Sequence, residues 1–368
     1  MFQIRRLKLS GWKSIRHVDL PLRPFNVLIG GNGAGKSNLL SFFALLNALA
    51  NDRLDSFVAR AGGAGELLFR GSAPAKGIDY SLDVAWNSYT IHTNQDLLRS
   101  VHDLLRRPTV SMWSTAPVEE LEKLAQELHA EAEEPIQSTN FPSAMMTRLA
   151  HRWRVYHFHD TSPHAPVKQT VDVHDNRFLR ADAGNLAAFL FMLRKAHPNA
   201  YRRICAAVRL AAPFFGDFVL EPVAENPNTI ILKWRDGQTD QDFGGWQLSD
   251  GTLRFICLAT LLLQPKELIP AVILIDEPEL GLHPQALSLL GGMLRSVPSQ
   301  VIVATQSVPL LDLLITKEED IADVITVDRR GGESVFSRPD PPALTEWLHD
   351  YSPSELWEKG VLGGQPGA

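Results

Sequence analysis

Cysteine is scarce in this sequence: there are two, Cys205 and Cys257, in 368 residues. They stand far apart in apolar, helix-like stretches and in no metal-ligand spacing. That excludes a disulfide scaffold and a cysteine-based zinc site, and leaves buried thiols in a reducing compartment. Long apolar runs are missing too. The longest, FICLATLLL, stops well short of the ~18 residues a membrane helix needs. No membrane partner is expected, and the expected location is cytoplasmic. The N-terminal MFQIRRLKLSGWKS alternates like a strand and has no apolar signal core. Positive charge is not in excess. The formal net charge of −6 argues against nucleic acid coating the whole surface. Local basic patches remain as candidate DNA contacts, RRLKLSGWKSIRH at the start and RKAHPNAYRRICAAVR around Arg202 and Arg203. Their plainer role is a solvated strand or helix face.

What is present suits a globular chain able to bury a large core, with 45% hydrophobic and 21% charged residues. Alternating strands and one apolar helix, NLLSFFALLNAL, fill a first lobe over 1–92. A helical insertion is expected over 93–217, with one strand near 153–159 and the acidic stretch VEELEKLAQELHAEAEE exposed. A last lobe over 218–350 begins with FVLEPV and TIILKWR as an antiparallel pair, then alternates helix and strand. Its runs AVILI and QVIVA lack alternation, which marks strands covered on both faces. A tail, 351–368, ends in a loose GGQPGA.

The strongest chemical signal is IGGNGAGKSNLL. Gly30 to Ser37 fit G-x-x-x-x-G-K-[ST], a loop whose backbone N–H groups cradle phosphates, and it follows an apolar strand and opens a helix. Glycines let the backbone take positive φ and approach a phosphate closely. Lys36 would neutralise the β- and γ-phosphates of ATP, and the Ser37 hydroxyl would bind Mg²⁺. The second signal is AVILIDEPEL. A buried strand ending in two carboxylates is costly unless a cation or a reacting water uses them. Asp276 suits the metal side, and Glu277 suits the base that deprotonates the attacking water. In QVIVATQS a third apolar strand delivers Thr305, Gln306 and Ser307 to the same sheet edge, where a polar side chain can reach the γ-phosphate or the water.

One stretch is left over. WQLSDGTLRF places Ser249 and Gly251 around Asp250 at the start of a helix, a natural anion site with no phosphate-binding lysine nearby. The simplest use for it is to complete the nucleotide site of a second copy. Two subunits related by a two-fold axis would then bury two ATP molecules between them.

That arrangement resembles the ABC-type ATPases of the RecF and SMC kind, and among them bacterial stand-alone ATPases related to the OLD enzymes. The resemblance rests on GxNGxGKSN at Gly30–Asn38, LSDGT at Leu248–Thr252 and IDEPELGLHP at Ile275–Pro284, with YHFHDTSP and DYSPSELWEKG in support. It implies an α/β ABC-ATPase head. A mixed sheet would surround the phosphate-loop helix, with an antiparallel β subdomain and a helical insertion and signature subdomain. By position, Gly30, Asn32, Gly33, Gly35, Lys36, Ser37 and Asn38 would hold ATP, and Ser37 and Asp276 the Mg²⁺. Glu277 would be the catalytic carboxylate, and Ser249 and Gly251 would reach the γ-phosphate across a homodimer. Lys13, in a turn like the FKS turn of SMC heads, would approach the nucleotide. The resemblance also implies DNA repair or anti-phage defence, with a nuclease or other effector as a separate chain, because the stretch after Gln306 lacks room for one.

The sequence also departs from that pattern. Gln306 replaces the switch histidine and can orient water but not change charge. No glutamine lies between Ser37 and Gln95, so the Q-loop glutamine that such relatives add to the metal has no candidate. Asp250 stands where many relatives have glycine; it is expected to turn away from phosphate and cap its helix. His157 and His159 would share one strand face, and a packed, hydrogen-bonded pair is expected there rather than a metal site. Two other functions stay open: a scaffold that senses ATP without hydrolysing it, and a transporter's nucleotide-binding subunit.

Overall fold

Two kinds of strand sequence build two kinds of sheet in the computed structural model, which describes residues 2–51, 53–70, 77–86, 89–96, 111–114 and 152–364. The acidic stretch at 118–134 lies outside the described residues. The unalternating runs form the centre of a mixed six-stranded sheet. Its order is Glu333–Ser337, Val324–Arg330, Phe25–Ile29, Gln300–Thr305, Val272–Asp276 and Trp153–Tyr156. All neighbours are parallel except the first pair.

Those runs are apolar throughout because each serves two cores. Val27, Ile29, Ile273, Ile275, Val301 and Val303 face one cluster. Leu28, Leu274, Ile302 and Ala304 face the other. Successive residues of a strand point to opposite faces, so neither face can be polar. The phosphate-loop helix, Lys36–Ala50, fills the second cluster with Leu39, Leu40, Phe42, Phe43, Leu45 and Leu46. It is covered by an antiparallel five-stranded sheet in the order Ile15–Pro21, Phe2–Trp12, Asp79–Trp86, Tyr89–Asp96, Ser111–Ser114. The Phe42 ring meets Trp12 and Tyr80 edge-on, with centroids 5.7 and 5.2 Å apart. Buried Gln300 stitches the sheets together: its amide accepts from Ile4 N–H at 2.8 Å and donates to Ile4 O at 2.7 Å.

The other cluster lies under four helices, Leu186–Ala196, Pro198–Ala211, Asp250–Leu263 and Pro284–Ser296. Cys205 and Cys257 are both free and buried in it. No helix of the described residues is long and apolar enough to cross a membrane.

Two sequence expectations are corrected and one is refined. The antiparallel sheet runs past residue 92, because Tyr89–Asp96 pairs with Asp79–Trp86 from Trp86↔Tyr89 to Asp79↔Asp96. The polar composition of YTIHTNQD hides that strand. FVLEPV and TIILKWR do pair antiparallel, through Phe218↔Trp234 and Pro222↔Ile230, but the pairing is split between two small sheets. Lys233–Asp236 lies between Phe215–Phe218 and Asp242–Gly244, whereas Asn226–Ile230 lies between Pro222–Val223 and Val171–Asp172. Finally, the tail is anchored as far as residue 364. Gly364 N–H donates to Asp328 Oδ1 at 2.6 Å, and Gly364 O accepts from Gly31 N–H at 3.0 Å.

Candidate nucleotide site

The parallel strands Phe25–Ile29, Gln300–Thr305 and Val272–Asp276 end side by side, so the loops after them share one sheet edge. Open α/β sheets bind ligands at that edge. The phosphate loop leaves the first strand and is walled from behind. A Cβ on Gly30 would stand 2.3 Å from Val327 O, and one on Gly35 would stand 2.0 Å from Ser334 Oγ. Gly35 also has φ +112°, which an L side chain rarely adopts. Behind the loop a chain of hydroxyls holds it: Ser334 Oγ donates to Ala34 O, Ser14 Oγ lies 2.6 Å from Ser334 Oγ, and Asn38 Nδ2 donates to Ser14 Oγ. Asn38 thus braces the loop. Asn32, Gly33 and Ser37 are exposed at its open side.

Lys36 is buried and folded over its own loop, donating to Gly30 O at 2.7 Å and Gly31 O at 3.1 Å. Burial pulls its ammonium below its usual pKa, opposed by the charges of Glu277, Asp276 and Glu279. Those carboxylates lie at the same sheet edge as the loop, within electrostatic reach of the lysine.

On the carboxylate side, Asp276 is buried, and its Oδ1 has no partner among the described residues. A buried anionic oxygen left unpaired is costly, and a cation held jointly with the exposed Ser37 hydroxyl would satisfy it; the residues fit Mg²⁺. Glu277 sits at φ +42°, a left-handed conformation that costs a non-glycine residue about 1–3 kcal/mol. Its N–H is held by Ala304 O at 2.8 Å, and its Oε1 accepts from Gln306 Nε2 at 3.2 Å. Gln306 therefore touches the carboxylate proposed as base.

Sequence reasoning passed over Glu279. Its Oε1 accepts from Thr305 Oγ1 at 2.6 Å and from Gln306 N–H at 3.2 Å, while Oε2 is buried without a partner. Glu279 thus fixes the strand end that presents Gln306. The only signal for it was a third carboxylate in IDEPEL. Burial raises the Glu279 carboxyl pKa, against the hydrogen bonds from Thr305 and Gln306 and with the help of Glu277. A raised folded-state value means that its stabilising contribution is complete below the ordinary glutamate range. That contribution is lost as pH rises through the raised value. Glu279→Gln keeps the acceptor and removes the charge. Wild type is thus expected to lose stability relative to this variant as pH rises above the ordinary glutamate value of about 4.3, read as a series of urea midpoints at increasing pH.

The signature lies elsewhere. Ser249 caps its helix, accepting from Thr252 N–H at 3.2 Å, and is exposed. Asp250 is not the cap; it sits in the first turn with its carboxylate 3.9 Å from Lys168 Nζ. Gly251 abuts the GLHP loop so closely that a Cβ would stand 2.1 Å from Gly281 O. Arg254, also missed, ties this corner together, donating to Leu280 O at 3.1 Å, Phe158 O at 3.1 Å and His159 O at 2.9 Å. Among the described residues no hydrogen bond or ion pair joins Ser249 or Gly251 to the phosphate loop of the same chain. Lys13 has φ +46° and lies 5.3 Å from the Trp12 ring centroid, while the Trp12 indole donates to Asn38 O at 2.7 Å. This turn flanks the loop helix.

The histidine pair packs as expected, with the rings edge-on and centroids 6.1 Å apart, and it lies beside Asp276. His159 Nε2 is 2.9 Å from Asp276 O, and His157 Nδ1 is 3.8 Å from Asp276 Oδ2. Partial desolvation pulls the His157 imidazole below its usual pKa, against the charge of Asp276. The first basic patch is largely paired: Arg6 and Lys8 both meet Asp19, and Arg16 meets Glu333. Arg202 and Arg203 are exposed.

The family described as "AAA domain, putative AbiEii toxin, Type IV TA system" matches residues 25–313. No curated protein matches the sequence. Among solved structures, an SmcHead bound to the C-winged helix domain of ScpA is similar at TM-score 0.57 and 17% identity, over 93% of this chain and 99% of that one. The Pyrococcus furiosus Smc head domain with an extended coiled coil, bound to the C-terminal domain of ScpA, is similar at TM-score 0.57 and 16% identity, over 95% and 99%. The Pyrococcus yayanosii Smc head domain with a coiled coil and joint is similar at 0.51 and 15%, over 95% and 99%. At these identities the likeness concerns the fold alone, which is that of an Smc head domain.

Proposed function

The chain belongs to the AAA-domain family that matches it over residues 25–313, and from that premise we propose that it is an ATP-hydrolysing switch that closes as a homodimer. The observation that carries this reading is the strand register that brings the loop of Lys36, Asp276 and a Gln306-held Glu277 to one sheet edge. In the proposed cycle the glycine loop and Lys36 bind the phosphates of ATP. Ser37 and Asp276 hold Mg²⁺, which would offset phosphate charge. Glu277 takes the proton of the attacking water, and the Gln306 amide fixes the direction of that carboxylate. Lys36 leaves the carbonyl oxygens of Gly30 and Gly31 for phosphate, an exchange of neutral acceptors for charged ones.

Ser249 and Gly251 serve the second subunit in this scheme. Support comes from the exposure of Ser249, from the anion-suited helix start, and from the Gly251–Gly281 contact that joins signature and GLHP loop into one surface. Release of the dimer after hydrolysis would signal to a separate effector, a nuclease being the first candidate, in DNA repair or anti-phage defence. The direct test is phosphate release from Mg·ATP by purified protein, with ATP affinity measured alongside. Lys36→Ala is expected to lose nucleotide affinity by two orders of magnitude or more, about 3 kcal/mol of charge-assisted contact. Turnover by that variant equal to wild type would sink the assignment.

A further inference from the structure

The edge strand Trp153–Tyr156 runs parallel to Val272–Asp276 in the register Tyr156↔Ile275, so His157 and Asp276 leave the sheet side by side. His159 is committed to Asp276 O. The His157 ring makes no hydrogen bond among the described residues, and its side chain is 45% exposed, with Nδ1 3.8 Å from Asp276 Oδ2. That separation is too long for a hydrogen bond. It falls within the ~4.2 Å that two ligands can span when each lies ~2.1 Å from one cation. The other oxygen of Asp276 is buried and unpartnered. Among the described residues no three His, Cys, Asp or Glu side chains gather to hold a metal by themselves, so a cation here needs the phosphates of a nucleotide.

We infer that His157 supplies a nitrogen ligand to the cation that accompanies ATP, beside Ser37 and Asp276, as the contact for which the sequence offers no glutamine. This rests on the ATP reading above. It has a chemical consequence: an imidazole suits first-row transition ions, whereas Mg²⁺ favours oxygen. The site is therefore tuned toward Mn²⁺ beyond the preference of phosphates and a carboxylate alone.

The test is pulsed EPR on the full chain loaded with Mn²⁺ and the slowly hydrolysed analogue ATPγS, with and without ¹⁵N-histidine. The expected result is imidazole nitrogen modulation that changes with the label, disappears in His157→Gln and persists in His159→Gln. The labelled wild type shows whether any histidine binds the cation, and persistence in His159→Gln assigns the coupling away from His159 even if His157→Gln folds poorly. The Mn²⁺-over-Mg²⁺ advantage in nucleotide affinity should also fall about tenfold or more in His157→Gln, the scale seen on losing even an outer-shell partner. Bound Mn·ATPγS without histidine coupling, or coupling that survives His157→Gln, would overturn the inference and leave the ATP reading intact. Wild type that binds no nucleotide in equilibrium dialysis, a measurement made first, would overturn both.

Discussion

Glu277→Gln is expected to bind ATP, turn it over 10²–10⁴ times more slowly, roughly the range for losing a general base, and accumulate as a dimer. The substitution is nearly isosteric. The amide at 277 keeps an oxygen for Gln306 Nε2, now 3.2 Å away, and the N–H bond to Ala304 O at 2.8 Å is untouched. Backbone strain at φ +42° is common to both proteins, so stability should change little. Only the proton acceptor goes. Light scattering with and without Mg·ATP reads the mass, and phosphate release reads the rate. If the variant stays monomeric with ATP demonstrably bound, the two-subunit site is wrong. If phosphate release equals that of wild type, Glu277 is not the base, and an ATP-sensing scaffold becomes the better description.

Ser249→Arg is expected to abolish that mass shift while leaving ATP affinity within about twofold, 0.4 kcal/mol. Ser249 is exposed and bonded within its own helix start, to Thr252 N–H and Thr252 Oγ1 at 3.2 and 2.8 Å. An arginine there fills the space a second subunit's phosphate would occupy. It also removes a helix cap, a cost of about 1 kcal/mol. Ser249→Asp separates the two effects, because aspartate caps well but repels a γ-phosphate. Both variants should therefore block dimerisation, and only the arginine should lower the melting temperature. A dimer that forms normally in both would mean that the LSDGT stretch serves its own helix and nothing more.

The motifs were legible in the sequence because each is local. Glycine spacing, a lysine after it and an apolar strand before it identify the phosphate loop within a dozen residues. An apolar run ending in Asp276 and Glu277 is equally self-contained. The covered sheet was legible for the same reason, since AVILI and QVIVA can only be buried on both faces. What escaped depends on residues far apart in the chain. Glu279 acquires meaning only when Thr305 arrives beside it, and His157 only when the edge strand sets it against Asp276. Lys168 turns Asp250 from a helix cap into a neighbour of a lysine. No periodicity announces any of these, because each is a single polar residue finding one distant partner.

The walls of the phosphate loop carry a temporal consequence. Residue 31 is anchored by residue 364, and Gly30 and Gly35 lean on Val327 and Ser334. During synthesis at ~5–20 residues per second, the loop would wait roughly 15–60 s for those partners. Until residue 305 has been made the strand Phe25–Ile29 lacks both its sheet neighbours, Gln300–Thr305 and Val324–Arg330, so its edges stay unpaired for most of that interval. The nascent chain is thus most prone to aggregate just when its best-known motif has left the ribosome. A fragment that stops before residue 324 would carry every motif of the site and lack the strand, the serine and the glycine that give it shape.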